Sequence, residues 1–87
     1  MLAVAATVRA GDPPEIRGRL EYYIGNLRLG QANYPEARGH YERALALLVR
    51  VHGENHPLVA NVLNNLATVA MKLGDLGPAG RYLDRAI

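Results

Sequence analysis

The stretch LEYYIGNLRLGQANYPEARGHYERAL, residues 20–45, is answered by VLNNLATVAMKLGDLGPAGRYLDRAI, residues 62–87, 42 positions on and without a gap. Ala37 falls on Ala79, Ala44 on Ala86, Arg43 on Arg85 and Leu45 on Ile87. Ile24-Gly25 matches Leu66-Ala67, and Asn33-Tyr34 matches Asp75-Leu76. A period of this size marks a solenoid, in which each unit buries its apolar face only against the next. Solenoids make surfaces that hold partners, so binding is expected before chemistry.

Composition sets the outer bounds. The 87 residues suffice for one small domain. Hydrophobic residues make up 49% and charged residues 21%, which argues for a folded chain over a disordered one. The net charge of +2 is too small for the basic stripe that nucleic acid requires, so nucleic acid is not an expected partner. Cysteine is absent, which excludes disulfides and thiolate metal sites and leans the expected location to the cytoplasm. Serine is absent too, so the two commonest nucleophiles are missing. Residues 1–8 are apolar but lack a basic leader, and no apolar run approaches the ~20 residues that span a bilayer.

Punctuation divides the chain into five expected helices. The first covers residues 2–9 and stops at Gly11 and Asp12-Pro13-Pro14. The second covers 15–29, with Ile16, Leu20, Ile24 and Leu27 sharing one apolar face. The third runs over 35–51, with Asn33 in the cap region and Pro35 in the first turn, where its missing N–H is harmless. Its inner face is Ala37, Tyr41, Ala44, Leu45 and Leu48. The fourth opens at His56-Pro57 and carries Val59, Val62, Leu63, Leu66, Val69, Ala70 and Leu73. The fifth starts near Pro78. No strand alternation appears, so the class is all-α.

The 42-residue shift also carries Ala3 onto Leu45 and Gly11 onto Gly53. The units are therefore read as residues 1–14, the tail of a preceding second helix; residues 15–56, repeat one; and residues 57–87, repeat two, cut within its second helix. Both ends leave apolar residues wanting a neighbour, as in a slice of a longer array or a chain that self-associates.

Each unit resembles a tetratricopeptide repeat. That family places small residues at its eighth, twentieth and twenty-seventh positions. Gly25, Ala37 and Ala44 match them in one unit, and Ala67, Ala79 and Ala86 in the next. Small side chains let paired helices approach closely. The 42-residue period, the segment Gly53-Glu54-Asn55-His56-Pro57-Leu58-Val59-Ala60 and the run Leu63-Asn64-Asn65-Leu66-Ala67 resemble the kinesin-light-chain-like subgroup; the ordinary period is about 34. Arg28, Gly30, Gly39, Gly80 and Gly77-Pro78 depart from the family pattern. The resemblance implies a right-handed superhelical α-α solenoid whose first helices line a concave groove.

By that resemblance the groove positions are Arg19, Tyr22, Tyr23, Asn26, Leu29 and Gly30. In the next unit they are Asn61, Asn64, Asn65, Thr68, Met71 and Lys72. Helical spacing independently sets Arg19, Tyr22, Asn26 and Leu29 on one face. Asparagine offers donors and an acceptor to a peptide main chain, and tyrosine combines apolar area with a hydroxyl. A protein or peptide partner is therefore expected in this groove. The expected contact set is Arg19, Tyr22, Tyr23, Asn26, Asn61, Asn64, Asn65, Thr68 and Lys72. Chaperone-binding members hold a terminal carboxylate with asparagines matching Asn26 and Asn65, but Tyr22 stands where their lysine is expected.

Other residues are read more plainly. His52 and His56 are four apart, but Gly53 and Pro57 interrupt the helix, so His56 is expected to bond locally before Pro57. His40 is expected at the surface. Arg43, Arg50, Arg81 and Arg85 form an outer stripe expected to pair locally with residues such as Glu42 or Asp84. No metal, cofactor or catalytic residue is expected, and no Gly-rich loop follows a strand. Homo-oligomerisation through the uncovered ends and a sensor region within a larger regulatory protein are the alternatives to groove binding.

Overall fold

Prolines mark the helix starts because the first-turn amides have no intrahelical partner to lose. The computed structural model describes residues 13–86, and the helix expected over residues 2–9 lies outside them. Among the described residues there are four helices: α1 (Pro14–Gly30), α2 (Tyr34–His52), α3 (Pro57–Lys72) and α4 (Leu76–Ala86). Each packs against the next in chain order, so α1/α2 and α3/α4 form two hairpins joined through α2 and α3. The all-α solenoid reading therefore holds.

The core lies where α3 is enclosed. Val59, Val62, Leu63, Leu66, Ala67, Val69 and Ala70 of α3 are all buried. They meet Ala37, Tyr41, Ala44, Leu45 and Leu48 of α2, with Ala79 of α4 also buried. Full burial of one such Val or Leu side chain contributes roughly 1.5–3 kcal/mol.

The face of α1 that meets α2 differs from the expected one. It is Gly18, Tyr22, Gly25 and Leu29, spaced 4, 3 and 4: the glycines are buried and the other two pack against the core. Ile16 and Leu27 are instead 47% and 54% exposed on an outer stripe. Their counterparts one period on are Leu58, packed against the core, and Val69, fully buried. The same apolar stripe is therefore covered in α3, which packs against both α2 and α4, and, among the described residues, left exposed in α1.

The glycines are small because α2 comes so close. A Cβ on Gly25 would lie 2.7 Å from Cδ1 of Tyr41, and one on Gly18 would lie 2.7 Å from Cγ of Leu48. Real Cβ atoms do not approach that closely, so helix or ring would have to move. One period on, the sequence positions of Gly25 and Tyr41 hold Ala67 and Leu83; Ala67 is buried but Leu83 is 40% exposed, so the tight approach is a feature of the first hairpin.

α1 and α3 end in the same way. Asn33 N–H donates to Arg28 O at 2.8 Å and Ala32 N–H to Leu29 O at 2.9 Å. Asp75 N–H donates to Ala70 O at 2.8 Å and Gly74 N–H to Met71 O at 3.1 Å. These are paired Schellman closures, which put one residue in the left-handed region. Gly74 takes it at φ +83°, whereas Ala32 takes it at φ 59° against the steric preference of an L side chain. Asn33 precedes α2 as expected, but its side chain donates to Glu36 instead of capping a backbone amide.

Three stability outcomes follow from this geometry. Gly25→Ala should lower unfolding free energy by about 1–3 kcal/mol, whereas Gly30→Ala, with nothing within 4 Å of its Cβ, should raise it by up to about 1 kcal/mol. Ala32→Gly should stabilise by about 0.5–1 kcal/mol through relief of the left-handed strain. Urea denaturation of the three variants measures all of these.

Candidate partner-binding groove

The first helices of the two hairpins, α1 and α3, are tied side by side by an amide pair. Asn65 Nδ2 donates to Asn26 Oδ1 at 3.0 Å. The Tyr41 hydroxyl rises from α2 between them and donates to the same Asn26 oxygen. Asn65 Nδ2 also lies 3.4 Å from the Tyr41 oxygen. The Tyr41 ring is fully buried, and burial pushes its phenol up to about 12. Tyr22 packs against it at 6.1 Å between ring centroids, and Tyr23 lies beside Tyr22 at 5.7 Å.

Around this floor the sequence-predicted residues divide. Tyr23, Asn61, Asn64 and Lys72 are exposed. Thr68 is spent partly on its own helix, donating to the Asn64 carbonyl at 3.1 Å. Arg19 is held by Glu15, whose hydrogen bond raises the guanidinium's pKa and whose own carboxyl is lowered chiefly by Arg19. Lys72 takes part in none of the ion pairs among the described residues. Asn26, Asn65 and Tyr22 are half-buried and serve the hairpin junction as well as the surface. Leu29, like Tyr22, is partly buried and packs against the core. The role of Tyr41 was not read from the sequence, where it counted only as a large core residue; a tyrosine among aliphatic core positions was the available signal, since a buried hydroxyl needs a partner.

On the outer side several arginines reach across elements, Arg38 while also meeting Glu42 one turn on at 4.0 Å. Arg38 Nη1 meets Asp75 Oδ2 at 2.6 Å, joining α2 to the turn before α4. Arg85 meets Glu54 with two bonds, 3.2 and 3.0 Å, joining α4 to the turn before α3. Arg43 Nε meets Glu21 at 2.8 Å, and not Glu42. His40 is not a free surface residue: its Nδ1 lies 2.7 Å from Glu21, between α1 and α2. Burial acts to raise the Glu21 carboxyl, but the hydrogen bonds from His40 and Arg43 outweigh it and the net position is lowered.

The two turn histidines are engaged in structure. His56 Nδ1 accepts from Leu58 N–H at 3.1 Å, the local bond expected before Pro57. His52 Nε2 bonds Glu15, and the two imidazoles stack at 3.9 Å. Among the described residues no group of three or more His, Asp or Glu side chains converges as a metal site, and no helix is long and apolar enough to cross a membrane.

Two hairpins of this geometry, with small residues at the close approaches and a polar face along the first helices, define a helical-repeat interaction module. The family profile described as tetratricopeptide repeat matches residues 17–87, and the chain belongs to that family. It is similar to two Arabidopsis thaliana proteins, kinesin light chain-related 1 and kinesin light chain-related 3, each 30% identical over 87 residues. The alignments cover 100% of this chain but only 14% and 13% of those relatives. No solved structure matches significantly.

The carboxylates set the acid limb of stability. Glu15, Glu21 and Glu54 all sit below their ordinary 4.5 when folded, so the unfolded chain binds more protons there. Their contribution is complete above about pH 4.5 and is lost as pH falls through the lowered values. At the other limb, the Tyr41 contribution is complete below 10.0 and is lost as pH rises towards about 12. Thermal melts across pH should show both declines, and Tyr41→Phe should flatten the alkaline one. A pH-independent melting temperature from 3 to 12 would contradict this account.

Proposed function

We propose that the chain is a protein-interaction module that holds an extended peptide or partner segment along α1 and α3, as one stretch of a longer repeat array. The observation that carries this reading is the exposed polar row Asn61, Asn64 and Lys72, with Tyr23 opposite, beside an amide pair fixed at the hairpin junction. These side chains supply donors, acceptors and an aromatic face without disturbing the core. The small share of its relatives that the chain spans supports the array. The open stripe on α1 supports it too, since the equivalent stripe of α3 is covered by a neighbouring helix.

The cleanest test avoids Asn65, which is part of the junction. Asn61→Ala combined with Asn64→Ala should weaken binding of an extended peptide by about tenfold or more, as loss of one or two hydrogen-bonding anchors does. The melting temperature should stay unchanged. Unchanged affinity in a folded double variant sinks the groove assignment.

A second reading is self-association through the two open ends. Ile16 and Leu27 are exposed on α1, and Leu76 and Leu83 are 72% and 40% exposed on α4. Because one end repeats the face that the other end's counterpart covers, copies could stack head to tail, a heterologous contact that does not close. Sedimentation velocity over a wide concentration range separates the readings: a constant monomer value rules out stacking.

A further inference from the structure

The turn between α2 and α3 is flanked by two imidazoles, stacked at 3.9 Å between centroids with 21° between their planes. His52 is the last residue of α2, and His56 is the residue before α3. Their hydrogen bonds require opposite states of the bonded nitrogens. Glu15, held below the ordinary carboxylate range chiefly by the Arg19 hydrogen bond, accepts only, so His52 Nε2 carries a hydrogen. Leu58 N–H donates only, at 3.1 Å, so His56 Nδ1 carries none. The Glu15 bond survives a second proton on His52. The Leu58 bond does not survive a second proton on His56.

The surroundings treat those two charges in opposite ways. His52 stands at the C-terminal end of α2, where the helix dipole favours a cation, with Glu15 of α1 against it. His56 stands at the N-terminal end of α3, where the dipole disfavours one. The first turn of α3 holds no acid, and His56 joins none of the ion pairs among the described residues. The other charged groups of the joint do not offset it. Arg50 adds like charge in the last turn of α2. Arg19 is bound to Glu15, and Glu54 is held by Arg85 of α4 through two bonds.

We infer that this stack is a proton-operated joint between the two hairpins. With His56 neutral, its ring caps α3 and lies flat on His52. With both rings protonated, two cations stand face to face and the first turn of α3 loses its cap. That turn carries Leu58 and Val59, which pack in the core shared with α2, so losing the cap loosens the α2–α3 junction. The first hairpin responds the other way. His52 with Glu15 and His40 with Glu21 hold α1 against α2, and protonation makes both bonds charge-assisted. Imidazoles as a class change charge between pH 5 and 8, where Glu15 and Glu21, both lowered from 4.5, remain carboxylates. Acid therefore tightens α1 on α2 while it frees the joint to α3. This inference is independent of the groove reading.

A heteronuclear NMR titration of the whole chain from pH 8 to pH 5 tests it. Imidazole nitrogen shifts report which nitrogen of each histidine carries hydrogen, and at pH 8 His56 Nδ1 should be the bare acceptor. As His56 protonates, solvent exchange of the Leu58 amide, corrected for the intrinsic effect of pH, should rise about fivefold, the loss of one cap bond. The amides of Gly25 and Tyr41 in the first hairpin should keep their protection. His56→Asn supplies a cap acceptor that does not titrate and should abolish the rise. His52→Gln keeps a donor for Glu15 without a charge, and should move the rise to higher pH because the repelling cation is gone. Leu58 exchange that follows the intrinsic curve throughout overturns the joint, and so does a rise that persists in His56→Asn. An unmoved midpoint in His52→Gln overturns the coupling between the rings. The wild-type titration decides by itself should either variant fail to fold.

Discussion

Tyr41 is a point where α1, α2 and α3 are held together, by packing and by hydrogen bonds. Its ring fills the space that Gly25 leaves open on α1, which sets how close the first hairpin closes. Its hydroxyl, buried and therefore obliged to bond, selects Asn26 and Asn65 on two different helices. A phenylalanine would pack as well but say nothing about the relative position of α1 and α3. The polar atom converts a packing contact into an orientation, and the binding face inherits that orientation.

The helical content was legible because the 42-residue echo and the prolines give period and punctuation independently of one another. Ala37, Ala44, Ala67 and Ala79 were read as close-approach residues and are buried. The assignment failed on α1, where Ile16 and Leu27 read as core and are open. Hydrophobic periodicity reports which face wants cover and cannot report which neighbour supplies it. Gly18 and Gly25, one heptad apart, mark the buried face; repeat position identifies Gly25 as a close-approach residue, but nothing in the apolar pattern identifies Gly18, since glycine carries no hydrophobic signal.

The candidate site was legible in part. Repeat position placed Asn61, Asn64 and Lys72 on the exposed first-helix face, where they are. It could not show that Asn26 and Asn65 are half committed to each other, since that depends on a hydroxyl from a third helix. The arginine partners were hidden for a similar reason. Arg38 with Asp75 and Arg85 with Glu54 are long-range pairs that link a second helix to a turn outside its own hairpin. Their carboxylates are far from the arginines in sequence; Arg38 keeps the near Glu42 as a longer second partner at 4.0 Å, and Arg85 takes Glu54 and not the neighbouring Asp84. Exposed pairs of this kind are individually weak, but they sit at the joints between units, where small energies act on the angle of the stack.

The matched pairs at the close approaches bear on how such a chain can change over time. Gly25 faces Tyr41, and the equivalent positions in the second hairpin hold Ala67 and Leu83. A Cβ at position 25 has no room beside the Tyr41 ring. A recombination that carried Ala67 into the place of Gly25 would therefore set alanine against Tyr41 and force the ring or the helix to move. A breakpoint between α1 and α2 separates a matched pair, whereas a breakpoint outside the hairpin keeps it. The first hairpin is inherited soundly as a closed pair, even though the sequence pattern repeats at the level of single residues.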